Sequence, residues 1–382
     1  MLQAGGADVR VLGFRRGNMV PALDGLPAID LGRTYDSRLV QRALKVLQRR
    51  MSLGVEPSVV KDADILLARN LEMLAIAGAA QRRHTPKATL VYECLDLHRL
   101  LLSTSPVGRI LRALERSLMR RARLLIVSSP AFISRHYALK QGVGSIWNRP
   151  VMIVENKVLA LGASHENAVA NVQPPPGPPW RIGWFGMIRC QRSLDILCKL
   201  TSRFPGLVEA VIRGRPARVA FRNFDEQIAH SPGVFFGGAY RPAELSELYG
   251  GVHFNWAIDY FEEGANSALL LPNRIYEGGL HGAVPIALAR TETGRWLKQR
   301  GIGTLFDSPG DELGCFLEHL TSSAYARRRQ AVRSQPRRGF VADLTDCESL
   351  VNALALAARG QAAPDRVTSD VDSRPARSIN TV

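Results

Sequence analysis

Residues 264–287 read GANSALLLPNRIYEGGLHGAVPIA, a stretch that puts a cation and a carboxylate at the beginning of a short helix. Pro272 suits a helix start, Asn273 and Arg274 follow it, and Glu277 lies one turn on. A helix start presents unpaired N–H groups and a positive dipole end, so a diphosphate docks there, with Arg274 adding charge and Glu277 accepting from a ribose diol. Gly282 and Pro285 then turn the chain into the apolar run 284–287. The plainer alternative is that Arg274 and Glu277 form an i,i+3 surface pair.

Working outward, strand-like and helix-like segments alternate on both sides of this stretch, the mark of α/β units with parallel sheets. In the first half, strands are expected at 9–14, 65–68, 89–93, 124–128 and 152–154. Helices are expected between them at 37–51, 71–82, 108–121 and 130–140. Periodicity then fails across a proline-rich stretch, and a second series follows with strands at 181–185, 207–212, 252–256 and 284–288 and helices at 193–203 and 242–249. These patterns divide the chain into a first Rossmann-like domain (1–159), a linker (160–179), a second Rossmann-like domain (180–343), a closing helix (344–359) and a polar, disordered tail (360–382).

The chain of 382 residues carries a net charge of +16, distributed unevenly. Residues 1–150 hold 24 Lys/Arg and 11 Asp/Glu, so 24 − 11 = +13, against 26 − 23 = +3 for residues 151–382. Such asymmetry points to a polyanionic partner. Arg109, Arg112, Arg116, Arg120 and Arg123 recur at helical spacing opposite Ile110, Leu114 and Leu118. Arg38, Arg42, Lys45 and Arg49 repeat the pattern opposite Leu39, Leu44 and Leu47. Neither stripe contains Phe, Tyr or Trp, which favours an anionic membrane face over nucleic acid. No apolar run reaches the roughly 20 residues of a bilayer span, and no secretory signal opens the chain, so a cytoplasmic location is expected, with peripheral association to the inner membrane. The five scattered cysteines form no C-x-x-C pair, so neither a disulfide framework nor a zinc site is expected.

Two further segments complete the candidate chemistry. GWFGMIRCQRSLDIL places Gly183 and Gly186 after a strand and Arg189 and Arg192 before a helix, a loop suited to a diphosphate. LVYECLDLHRLL ends a strand with Glu93, Asp96 and His98 in six residues, where the carboxyl ends of parallel strands meet a ligand.

The order P-x-[K/R]-x-x-E followed by G-x-P-[VI] resembles the donor-binding helix of GT-B glycosyltransferases related to glycosyltransferase family 4. The G-x-[LI]-x-x-x-[KR] loop and the turn at Gly214 resemble further landmarks of that family. The resemblance is to transferases of bacterial exopolysaccharide assembly of the succinoglycan kind. It implies two Rossmann-like domains facing a central cleft. It also implies transfer of a sugar from a nucleotide diphosphate sugar, UDP-glucose or similar, to a polyprenyl-diphosphate-linked oligosaccharide, without metal or cofactor.

Under that resemblance, Gly186, Arg189, Arg192, Gly214, Tyr240, Asn273, Arg274 and Glu277 bind the nucleotide sugar. Asp96, with His98 and Glu93, serves the acceptor, and Arg109, Arg112, Arg116 and Arg120 dock on the membrane. Two departures stand out. The family's site carries a second glutamate where this chain has Leu269, with Asn266, Ser267, Glu262 and Glu263 as polar neighbours. The first strand and its glycine loop are also missing before residue 9, which implies a start upstream. Binding of a nucleotide sugar without transfer is the competing expectation, and nucleic-acid binding a weaker one.

Overall fold

The computed structural model describes residues 1–15, 28–34, 39–51, 57–144, 147–162 and 172–361. The expected tail beyond residue 361, the middle of the linker (163–171) and Arg38 lie outside the described residues.

The first half opens with a parallel pair, β1 (Val11–Arg15) and β2 (Ala28–Arg33). A four-stranded parallel sheet follows from β3 (Ile65–Arg69), β4 (Thr89–Cys94), β5 (Leu124–Val127) and β6 (Val151–Ile153), in that order. β4 (TLVYEC) and β5 (LLIV) are buried along their whole length, as parallel strands covered on both faces must be. Alternate side chains serve the two faces. Leu90, Tyr92, Leu125 and Val127 pack under the helices Asn70–His84 and Pro106–Met119, whereas Val91, Leu124 and Ile126 meet Leu350, Leu354 and Ala357 of the helix Leu344–Ala358. The last helix therefore crosses back to the first domain.

One buried polar cluster holds this domain together. Glu115, fully buried, accepts from Tyr92 Oη (2.8 Å), His136 Nε2 (2.7 Å), Tyr137 Oη (3.3 Å) and Gln141 Nε2. Burial pushes both tyrosine hydroxyls well above their usual range, so they remain donors. The helix expected at 130–140 begins as Pro130–Phe132 but continues as a π-helix, Ile133–Gln141. Winding of i→i+5 stacks His136 and Gln141 on one face, where both reach Glu115.

The second half begins after β7 (Val158–Leu159). Its sheet contains β8 (Trp180–Ile188), β9 (Val208–Pro216), β10 (Val234–Phe236), β11 (Phe254–Trp256), β12 (Val284–Leu288) and β13 (Thr304–Phe306), all parallel, in the order β10-β9-β8-β11-β12-β13. The strand order reverses between β8 and β11, so the crevice at their carboxyl ends is the ligand position of this fold. β14 (Val341–Ala342) pairs with β7 and ties the two chain crossings together. Strands β2, β10 and β13 and the helices Glu292–Gln299, Pro309–Glu318 and Ser322–Arg333 were not expected. β10 and β13 have three residues each, too few for a visible alternation.

Candidate functional site

The crevice floor is made of glycine. Gly186 of β8 and Gly214 of β9 are register partners, and both have positive φ (+105° and +144°). The Gly214 N–H donates to the Gly238 carbonyl (2.7 Å), and a Cβ on Gly214 would collide with the Gly186 carbonyl oxygen. Only glycine fits there, and the bare backbone leaves room for a ligand to approach. Tyr240 stands half-buried beside this floor, its hydroxyl pushed up to about 12 by burial and by Glu277.

The helix Asn273–Leu280 follows Pro272 and buries Ile275, Tyr276, Gly278 and Gly279 against the sheet. That leaves Asn273 exposed, with Arg274 and Glu277 half-buried. The two charged groups do not pair with each other. Arg274 Nη1 donates to the Trp256 carbonyl (3.0 Å) at the end of β11, and its own carbonyl accepts from Asn255 Nδ2 (2.5 Å). Glu277 Oε2 accepts from the buried Tyr249 hydroxyl (2.9 Å). Burial pushes the Glu277 carboxyl up, and Tyr249 and Arg274 pull it back. The surface-pair alternative therefore fails: each group is held separately at the switch point.

The two loop arginines are less free than expected. Arg189 pairs with Asp259 (3.3 Å) and lies 4.5 Å above the Phe261 ring, while Arg192 pairs with Glu263 (2.5 Å) and lies 4.2 Å above the Tyr260 ring. Arg290, at the exit of β12, takes the other Glu263 oxygen (2.9 Å). Arg290 was missed from sequence because it stands in no phosphate-type motif. Of these four arginines, Arg274 alone pairs with no carboxylate.

In the first domain the structure separates three residues that sequence spacing grouped. Glu93 is buried and accepts from Arg69 Nε (2.8 Å). His98 caps the helix Arg99–Leu102, its Nδ1 accepting the Leu100 N–H (3.3 Å). Burial, then Arg42 and Arg99, hold its imidazole below the ordinary value. Asp96 alone reaches across the cleft, where its Oδ1 accepts from Asn266 Nδ2 (3.1 Å). Glu262 faces the same space. Burial pushes its carboxyl up, Arg189 and Arg99 pull it down, and Asp96 and Asp259 push it up. Leu269, at the position where the resemblance implies a glutamate, packs against the core of the first domain.

Both basic stripes are split by the fold: part of each turns inward, against the expectation, while Arg109 and Arg120 stay exposed. Arg112 Nη1 donates to the Leu101 (2.8 Å) and Ser103 (2.5 Å) carbonyls, and Arg116 Nη2 to the Lys140 carbonyl (2.6 Å). Val107, Ile110 (67% exposed) and Leu114 point outward beside exposed Arg109 and Arg120, while Gly108, Glu115, Leu118 and Met119 pack inward. In the helix Leu39–Met51, Arg42 pairs with Glu72 (2.7 Å), Arg49 donates to the Leu31 carbonyl (2.9 Å), and Lys45 donates to the Arg33 carbonyl. Leu44 (61% exposed) and Leu47 face outward. The cause is the same in both helices: the guanidinium and ammonium groups turn inward to donate to backbone carbonyls of neighbouring elements. No described helix is long and apolar enough to cross a membrane.

No protein-family model matches the chain. It is 47% identical over 359 residues, 93% of this chain and 88% of the other, to the succinoglycan biosynthesis protein ExoL of Rhizobium meliloti (strain 1021). Among solved structures it is similar to Anabaena HepE in complex with UDP, with a TM-score of 0.60 at 16% identity over 91% of this chain and 100% of that one. It is also similar to sucrose-phosphate synthase from Thermosynechococcus elongatus, with a TM-score of 0.60 at 12% identity over 93% of this chain and 90% of that one. These likenesses establish the fold as GT-B, two Rossmann-like domains about a cleft.

Proposed function

The chain belongs to the family of the succinoglycan biosynthesis protein ExoL and is built as a GT-B glycosyltransferase, and from that premise we propose that it transfers a hexosyl group from a UDP-sugar to a polyprenyl-diphosphate-linked saccharide in exopolysaccharide assembly. The observation that carries the donor half is the switch-point arrangement: Arg274 and Glu277, each anchored by its own partner, beside the bare Gly186–Gly214 floor. The diphosphate lies over the glycines and meets Arg274 and the first N–H groups of the Asn273–Leu280 helix. Glu277 accepts from the ribose diol. Tyr240 flanks the nucleotide. As UDP departs, Arg189 and Arg192 exchange Asp259 and Glu263 for the growing negative charge. Solved HepE binds UDP in the same fold, which supports a uridine nucleotide here.

On the acceptor side Asp96 is the base. Its carboxylate takes the proton of the attacking hydroxyl as that oxygen bonds to the anomeric carbon and the bond to UDP breaks. Glu93 and His98, already engaged by Arg69 and by Leu100, support the loop that carries Asp96. The test is incubation with labelled UDP-glucose, and a panel of other UDP-sugars, together with a short-chain polyprenyl-diphosphate disaccharide. Label moving into the lipid fraction supports the reading. UDP binding with no transfer from any donor would leave a nucleotide-sugar-binding protein.

We further propose that the acceptor domain rests on an anionic membrane through the outward faces of its helices, Val107, Ile110 and Leu114 entering the interface and Arg109 and Arg120 meeting lipid headgroups. Arg112 and Arg116, bound to backbone carbonyls, act in folding rather than docking. Each surface charge contributes about 1 kcal/mol, so Arg109→Gln with Arg120→Gln should weaken binding to phosphatidylserine vesicles by about 30-fold in sedimentation. Arg112→Gln should instead lower the melting temperature. Sedimentation unchanged by the Arg109 and Arg120 substitutions would remove this docking role.

A further inference from the structure

The first domain reaches its catalytic loop to the second through one amide. Leu97 N–H donates to Asn266 Oδ1 (3.1 Å), and Asn266 Nδ2 donates to Asp96 Oδ1 (3.1 Å), so one side chain holds two successive residues of the loop 95–98 from across the cleft. The orientation of the amide follows from its partners: a backbone N–H can only donate and a carboxylate can only accept. Asn266 is itself fixed. It is 6% exposed, and it opens the short helix Asn266–Leu269. The Leu269 carbonyl accepts from Ser129 Oγ of the first domain (2.5 Å), and the Leu270 carbonyl accepts from Thr293 Oγ1 of the second (3.1 Å). Leu269 and Leu270 pack against the core of the first domain. Residues 266–270 are thus held from both sides of the cleft, and Asp96 Oδ2 has no hydrogen-bond partner among the described residues.

We propose that Asn266 is the positioning residue of the reaction: by occupying Asp96 Oδ1 and pinning the Leu97 N–H, it aims Oδ2 at the acceptor hydroxyl whenever the two domains are together. This rests on the reading of Asp96 as the base. In this chain, the segment where the resemblance implies a further glutamate serves as the strap that orients the base. Asn266 touches neither donor nor acceptor, so its effect falls on the chemical step and not on donor binding.

Two measurements on the full chain test this. In hydrogen–deuterium exchange without any substrate, Asn266→Ala should accelerate exchange of the peptide covering residues 95–99, because Leu97 loses its acceptor. Asn266→Asp, which keeps an oxygen for Leu97, should largely preserve protection. Unchanged exchange in Asn266→Ala would overturn the clasp, whichever sugar nucleotide the protein takes. With UDP-glucose and the polyprenyl-diphosphate disaccharide, Asn266→Ala and Asn266→Asp should each lower kcat by about 100-fold while the KM for UDP-glucose stays within about threefold. In an Asp96→Asn background the same Asn266→Ala change should have almost no further effect on kcat, because the group it aims is gone. Equal losses in both backgrounds would make Asn266 merely structural and overturn the proposal. Absence of transfer by the wild type would count against the proposed function and leave the exchange result to decide the clasp.

Discussion

Replacement of Asp96 with asparagine is expected to lower sugar transfer by about 10²–10⁴-fold, the usual contribution of a general base, with UDP affinity unchanged. The substitution keeps an oxygen in place of Oδ1, so Asn266 Nδ2 retains its acceptor and the loop keeps its position. What disappears is a group able to take a proton. Glu93 is spent on Arg69 and His98 on the Leu100 N–H, so neither stands ready as a substitute. Single-turnover transfer at saturating donor, beside UDP titration, separates the two effects. Transfer within threefold of wild type would move the base elsewhere, with Glu262, the other carboxylate in that space, next to be replaced.

Replacement of Glu115 with alanine is expected to cost about 3–5 kcal/mol, the largest stability effect of any single change considered for this molecule. The carboxylate is fully buried and takes hydrogen bonds from Tyr92, His136, Tyr137 and Gln141, all four of which would be left without their acceptor. Because Tyr92 lies in β4 and the π-helix supplies the other three, the loss would loosen the packing beneath the Asp96 loop as well. Tyr137→Phe, which removes only the longest of the four contacts, should cost about 1 kcal/mol. Urea unfolding followed by tryptophan fluorescence reads both. An unfolding free energy for Glu115→Ala within about 1 kcal/mol of wild type would show that the cluster contributes little.

Much of the fold was legible because its signals are local. The helix Leu344–Ala358 was expected at 344–359, and in the structure Asp343 caps its start. Pro272, Arg274 and Glu277 likewise marked the helix Asn273–Leu280. The facing of the basic helices was not legible. Arginines and leucines at spacings of three and four fit either orientation, and the choice depends on the Leu101, Ser103 and Lys140 carbonyls, which only the folded chain brings near Arg112 and Arg116. Asn266 was seen only as a polar neighbour of the vacant position at Leu269. Its partner Asp96 is 170 residues away, and no periodicity links positions so distant. Glu115 meets His136 and Gln141 only because the helix there widens to π winding, which residues 130–141 do not advertise.

The switch-point crevice of the second domain is expected to bind a uridine diphosphate sugar through Glu277 and Arg274. Calorimetric titration of UDP into the wild-type chain and into Glu277→Ala tests it most directly. Loss of a hydrogen bond to a charged acceptor at a half-buried site should weaken UDP by about 1.5–3 kcal/mol, roughly 10- to 150-fold in Kd. The Tyr249 hydroxyl loses its carboxylate, which should cost about 1–3 kcal/mol of stability and leave the fold intact. That weakening is expected alongside only a modest fall in melting temperature in the absence of ligand. UDP binding to Glu277→Ala as tightly as to the wild type would contradict it.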